Sequence, residues 1–171
     1  MPTVRHASFA PHVAADTRLL ILGSLPGARS LAARQYYAHP TNQFWRLLGD
    51  VVARPLAAMP YAERLAALHA AKIGLWDVIR TAERRTSSDG DIRDAEAHDL
   101  ADLVATLPDL GMIAFNGGKA ATIGRRQLPD PGGIALVDLP SSSAAHTIGF
   151  AAKRDRWMRL RDALAPTAPT P

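Results

Sequence analysis

Between Gly23 and Trp45 the chain carries Gly23-Ser24-Leu25-Pro26-Gly27 and then Tyr36-Tyr37-Ala38-His39-Pro40-Thr41-Asn42-Gln43-Phe44-Trp45. Two later stretches, Asn116-Gly117-Gly118 and Ser141-Ser142-Ser143-Ala144-Ala145-His146, also follow apolar runs of strand length. Together they offer the carboxamides of Asn42, Gln43 and Asn116, the hydroxyls of Ser24 and Ser141 to Ser143, two tyrosine rings, and His39 and His146. They offer little free acid. An amide presents a donor and an acceptor to the edge of a flat heterocycle, and a tyrosine ring stacks on its plane. A nucleobase is the ligand such groups suit. A Gly/Pro-rich turn between strand and helix adds outward-pointing backbone N–H groups, which suit anionic or polar ligands.

Each feature also has a plainer explanation. The tyrosine pair fits core or rim packing, and Asn116 before two glycines fits an ordinary turn. Lone histidines without acidic or cysteine company at ligand spacing do not suggest a metal site. No metal or other cofactor is expected. The nucleophile-elbow pattern of serine hydrolases is missing around Ser141 to His146, and Gly23 to Gly27 is neither a Walker loop nor a dinucleotide fingerprint. With no cysteine in the chain, thiolate nucleophiles, disulfides and iron–sulfur clusters are excluded.

The elements that must hold these groups alternate. Arg18 to Gly23 reads as a strand buried on both faces. A helix from Thr41, with Thr41 as cap, places Phe44, Leu47, Leu48 and Val51 on one face. Pro60 opens a second helix, and Ile73 to Ile79 reads as a second strand with Asp77 near its end. The polar stretch Thr81 to Asp99 reads as a solvated loop or a substrate-facing excursion. Asp99 caps a helix that stops at Pro108. Met112 to Phe115, a helix over Lys119 to Gln127, the strand Ile134 to Leu139 and a last helix carrying Phe150, Trp157, Leu160 and Leu164 complete the series.

Strands alternating with helices predict an α/β fold, a three-layer α/β/α sandwich around a central, mainly parallel four-stranded sheet. Right-handed crossovers bring the four loops to one edge. At 171 residues and 47% hydrophobic, one domain over residues 1–165 is expected, followed by a disordered tail, Pro166 to Pro171. No apolar run is long enough to span a membrane, and the N-terminus does not read as a signal peptide. A cytoplasmic monomer is expected. Seventeen of the twenty basic residues are arginine and the formal charge is +4, a balance that favours anionic partners such as nucleic acid without demanding them.

The order of the motifs resembles the uracil-DNA glycosylase superfamily. Gly23-Ser-Leu-Pro-Gly27 followed by the Ala38-His-Pro-Thr-Asn-Gln-Phe-Trp45 run is similar to the opening motif of its mismatch-specific enzymes. The Ser-Leu of the turn and the Tyr36-Tyr37 pair resemble the hypoxanthine-DNA glycosylase branch more closely. Leu75-Trp-Asp77, Phe115-Asn-Gly117 and Leu139-Pro-Ser-Ser-Ser-Ala-Ala-His146 extend the likeness over most of the chain. The resemblance implies DNA as partner and hydrolytic excision of a flipped-out deaminated base, hypoxanthine first, with uracil or xanthine as alternatives.

Residue by residue, the resemblance implies that Asn42 carries catalysis, that the base stacks on Tyr37, and that its edge meets Gly23, Ser24, Leu25 and Asn116. Ser141, Ser142, Ser143 and His146, with Lys119 and Arg125 at the rim, would contact DNA. Two positions depart from the pattern. Leu25 stands where related uracil-excising enzymes have the Asp or Asn that handles water, and Ala144 stands where proline is usual. Because Leu25 removes that group, a non-catalytic module binding damaged or single-stranded DNA on the same scaffold is the alternative reading.

Overall fold

The computed structural model describes residues 3–166. Of the tail expected to be disordered, residues 167–171 lie outside the described residues. Among the described residues seven strands are present: β1 (Val4–Ala7), β2 (Leu19–Gly23), β3 (Ile73–Asp77), β4 (Ile79–Arg84), β5 (Arg93–Ala97), β6 (Met112–Asn116) and β7 (Ala135–Leu139). The helices are α1 (Ala28–Ala33), α2 (Phe44–Val52), α3 (Tyr61–Ala70), α4 (Leu100–Ala105), α5 (Gly118–Gln127), α6 (Phe150–Trp157) and α7 (Arg161–Leu164).

The central sheet has the order β3-β2-β6-β7 and every pairing in it is parallel. In β2 the four side chains Leu19 to Leu22 have no exposed surface, each worth about 1.5–3 kcal/mol of burial. Because alternate side chains of a strand point to opposite faces, they divide between two cores. Leu19 and Ile21 pack with Phe44, Leu47, Leu48, Leu68 and Trp157 beneath α2, α3 and α6. Leu20 and Leu22 pack with Leu100, Ala120 and Ala121 beneath α4 and α5. The three-layer α/β/α sandwich with a four-stranded parallel sheet is therefore present.

Three local expectations are corrected. The run Ile73 to Ile79 is not one strand: the chain leaves the parallel sheet after Asp77, and Ile79 begins β4 of a separate antiparallel sheet of order β1-β4-β5. Most of the polar stretch Thr81 to Asp99 is the β4–β5 hairpin rather than a loop. Thr41 does not cap α2: the residue at the cap position is Gln43, whose side chain makes no cap bond, and the first N–H of the helix, that of Phe44, is instead accepted by Asn42 Oδ1 at 2.9 Å. Asp99 does cap α4, accepting the Asp102 N–H at 3.1 Å.

Helix α5 lies against β6 because residue 124 is glycine. A methyl group there would overlap the edge of the buried Phe115 ring. Gly124→Ala gains helix propensity of about 1 kcal/mol but overpacks this contact, which typically costs about 1–3 kcal/mol. Urea unfolding of the variant is expected to show a net loss of stability; a gain would mean that α5 is not held against Phe115.

Candidate active site

A cavity of about 600 Å³ opens at the C-terminal ends of the central strands, lined by residues that follow β2, β3, β6 and β7 and by the β4–β5 hairpin. Strand order reverses direction here, since the chain passes from β2 outward to β3 and later returns on the other side of β2 with β6 and β7. Such a switch point at the carboxyl ends of the strands is where open α/β sheets bind ligands.

Gly23, Ser24 and Leu25 line the cavity as expected. The turn they begin is held from below by Arg84, which is 3% exposed and donates to the carbonyl oxygens of Leu25 and Pro26. A Cβ on Gly23 would lie 2.7 Å from Asp77 Oδ1 and 2.8 Å from the Tyr37 hydroxyl. Only glycine lets the two groups approach this strand end.

Tyr37 lines the cavity with one ring face stacked on Phe44, at 3.8 Å between centroids and 11° between planes. Its backbone sits at φ 53°, a left-handed conformation that a bulky residue adopts only where its surroundings impose it. Burial, and then the charge of Asp77, push its hydroxyl well above the usual tyrosine range, so the group stays protonated. Tyr36 differs: it is buried and donates to the Ala10 carbonyl.

Asn42 is half-buried on the cavity wall. Capping fixes its Oδ1 on the Phe44 N–H, which orients the amide and leaves its Nδ2 as the group able to serve a ligand. The neighbouring Gln43 joins this loop to the serine loop: its N–H donates to the Ser142 carbonyl at 2.9 Å. Its side-chain oxygen accepts from Lys153 Nζ, which also donates to the Ser143 carbonyl. Lys153 is 1% exposed, and burial holds its ammonium below the usual lysine range.

Asn116 faces the cavity, but most of its amide is engaged. Oδ1 accepts the Ser142 N–H at 2.8 Å and Nδ2 donates to Ser142 Oγ at 2.9 Å. Each atom keeps one further site, a lone pair on Oδ1 and an N–H on Nδ2. The same contacts bury Ser142 to 1% exposure, so the expectation that Ser142 grips DNA is not met; it braces Asn116. Ser141, Ser143 and His146 do line the mouth. Ser141 Oγ accepts the Ser143 N–H and Ser143 Oγ the Ala145 N–H, shaping the loop.

Two basic residues expected at the rim do not line the cavity. Arg125 lies seven residues into α5, a rise of about 10 Å, and is ion-paired with Asp138 at 2.9 Å along edge strand β7. Lys119 is in the first turn of α5, outside the cavity lining. Arg29, on α1, lines the cavity instead.

The cavity holds two carboxyl groups that the loop motifs do not announce. Asp89, in the turn between β4 and β5, accepts from Ser24 Oγ at 2.6 Å. Asp77, at the end of β3, is 3% exposed and its Oδ2 has no hydrogen-bond partner. Burial first, and the charge of Asp89 second, raise its carboxyl from 3.8 to about 7 against the opposing pull of Arg84. Asp77 was legible as a polar residue closing an apolar strand run. Asp89 carried no such signal, because it is brought in by a hairpin whose composition reads as loop.

Residues 10–161 match the family model of the Uracil DNA glycosylase superfamily. A hypoxanthine DNA glycosylase of Methanosarcina barkeri is 36% identical over 154 residues, covering 90% of this chain and 96% of that protein. One of Methanosarcina acetivorans is 39% identical over 142 residues, covering 83% and 89%. A solution NMR structure from Methanosarcina acetivorans, described as a candidate uracil DNA glycosylase, superposes with a TM-score of 0.83 at 35% identity, covering 94% of this chain and 99% of that one.

Asp77 gives the fold a pH signature. A carboxyl raised in the folded state stabilises fully below its unfolded value near 3.8 and loses that contribution as pH rises through about 7. Asp77→Asn removes the titration at nearly constant shape. The melting temperature of the variant relative to wild type is expected to rise by several degrees between pH 5 and pH 8; parallel curves would show that Asp77 ionises freely.

Proposed function

The chain belongs to the uracil DNA glycosylase superfamily, and from that premise we propose that this DNA glycosylase flips a deaminated base out of DNA and excises it by hydrolysis. Hypoxanthine is the first substrate, as in the relatives named for it, and uracil or xanthine the next. The enzyme acts as a cytoplasmic monomer on duplex DNA and leaves an abasic site.

The observation that carries the reading is the placement of Asn42 in the same cavity as Tyr37, with its amide oriented by the helix cap. The flipped base stacks on the open side of the Tyr37 ring, whose other face rests on Phe44. Extrusion costs about a few kcal/mol, and less for a mispaired base such as hypoxanthine opposite thymine. As the C1′–N bond opens, positive charge develops on the sugar and negative charge on the base. An amide has no useful pKa and is not a general base; Asn42 Nδ2 instead holds the water or donates where charge builds. Leu25 fills a wall position without handling water.

DNA is gripped at the mouth by Ser141, Ser143 and His146 together with Arg29, and by the N-terminus of α6. Among the described residues no helix is long and apolar enough to cross a membrane, and the formal charge of +4 suits DNA phosphates.

The test is a labelled duplex carrying deoxyinosine opposite thymine, treated with hot alkali after incubation. Wild type is expected to cut the strand only after alkali, and Asn42→Ala to slow base release by about 10²–10³-fold, as loss of one transition-state donor does. Asn42→Ser retains a capping oxygen, so it is expected to melt with wild type and still be slow. An intact strand with wild type on every deaminated base would remove the reading, and binding by gel shift without base release would leave the DNA-binding alternative.

A further inference from the structure

Most polar groups around the cavity are satisfied within the protein. Ser142 engages Asn116, Asp89 engages Ser24, and the Phe44 N–H takes Asn42 Oδ1. Asp77 is the exception, a buried carboxyl on the cavity wall with an unpaired oxygen. Nothing in the fold requires it: it makes no hydrogen bond that holds an element, and leaving such a group unpaired is costly. A buried polar group kept unpaired in a pocket points to a ligand that pairs it.

On the reading given above, we propose that Asp77 is a catalytic residue whose protonated carboxyl hydrogen-bonds to the flipped base and donates its proton to a ring nitrogen or exocyclic oxygen as the base departs. The C1′–N bond breaks with its electron pair on the base, the base takes the Asp77 proton, and water adds to C1′. The proton released by that water returns through solvent to Asp77, so no further reactant is needed. A neutral carboxyl also carries a donor beside an acceptor, the complement of the carbonyl-plus-N–H edge that hypoxanthine, uracil and xanthine share.

The surroundings favour the neutral form. From the loop before α2, Tyr36 and Tyr37 present hydroxyls that are both held protonated. From the β4–β5 turn, Asp89 adds negative charge, and from β4, Arg84 opposes it while its N–H groups stay committed to Leu25 and Pro26. His39, His146 and Arg29 line the wider cavity. A carboxyl titrating near 7 in this setting sits where general acids work best at neutral pH.

The test is single-turnover release of hypoxanthine from the deoxyinosine duplex between pH 5.5 and 9, for wild type, Asp77→Asn and Asp77→Ala. The wild-type rate is expected to be level below about pH 7 and to fall about tenfold per unit above it, as loss of one essential proton requires. Both variants should be slower at pH 6 by about 10²-fold or more, with profiles flat across pH 7. A wild-type rate that is flat or rises through pH 7 overturns the proposal without any variant. So does a folded variant, checked by its melting curve, that equals wild type at pH 6 or keeps the alkaline decline, which would assign that decline to another group such as a cavity histidine. If wild type releases no deaminated base at any pH, the glycosylase reading itself fails; if wild type is active and the variants match it, only the role of Asp77 does.

Discussion

The missing Cβ at Gly23 is the constraint on which the site depends. Parallel pairing sets Gly23 beside Asp77 at the ends of β2 and β3, and the Tyr37 hydroxyl reaches the same point. Any side chain at position 23 would push apart a strand end, a carboxyl and an aromatic ring held in a left-handed backbone conformation. The parallel sheet supplies the rigidity that makes this tolerable. With Leu19 to Leu22 buried on both faces, β2 has little room to shift and relieve crowding at its tip, so the site is built on the end of a fully packed strand.

Around that point the protein separates groups that brace from groups left free. Ser142, buried and bonded twice to Asn116, fixes one wall. Lys153 holds Gln43 and the Ser143 carbonyl together and so ties the Asn42 loop to the serine loop. Arg84 clamps the Leu25–Pro26 turn. Two buried cations thus spend their hydrogen bonds on backbone or amide oxygens rather than on carboxylates. A cation satisfied by neutral acceptors keeps its field, and here the field of Arg84 moderates Asp77 and Asp89 without pairing either. Burying these charges is expensive, and what it secures is loop geometry rather than stability.

Much of this was legible in the sequence, and the failures have physical causes. The apolar runs ending in Gly23 and Phe115 mark buried parallel strands, because strands covered on both faces read as unbroken apolar segments. Phe44, Leu47, Leu48 and Val51 mark α2 by their spacing. The second sheet was illegible because β5 is exposed at every position: a strand with two wet faces carries no apolar alternation to read. The junction at Val78 was hidden because Val78 and Ile79 are themselves fully buried, so the apolar run continues across a change of sheet. Ser142 and Arg125 fail for a shared reason. A serine among serines and an arginine among arginines look alike in sequence, whereas a single contact, with Asn116 or Asp138, decides whether each side chain is free or engaged within the protein.

Leu25, standing where the resemblance implies an Asp or Asn, also changes where charge would be handled. Departure of a base produces an anion in the pocket and a cation at the sugar, and an acid fixed near the sugar would serve the cation. This pocket has no carboxyl in that turn, yet it has two beside it, Asp77 next to Gly23 and Asp89 on Ser24 Oγ, and the charge of Asp89 raises the Asp77 carboxyl. A like charge nearby favours the protonated form of Asp77, and a proton held there is available to an anion rather than to a cation. On the proposed reading, the electrostatics of the cavity are thus weighted toward the leaving base.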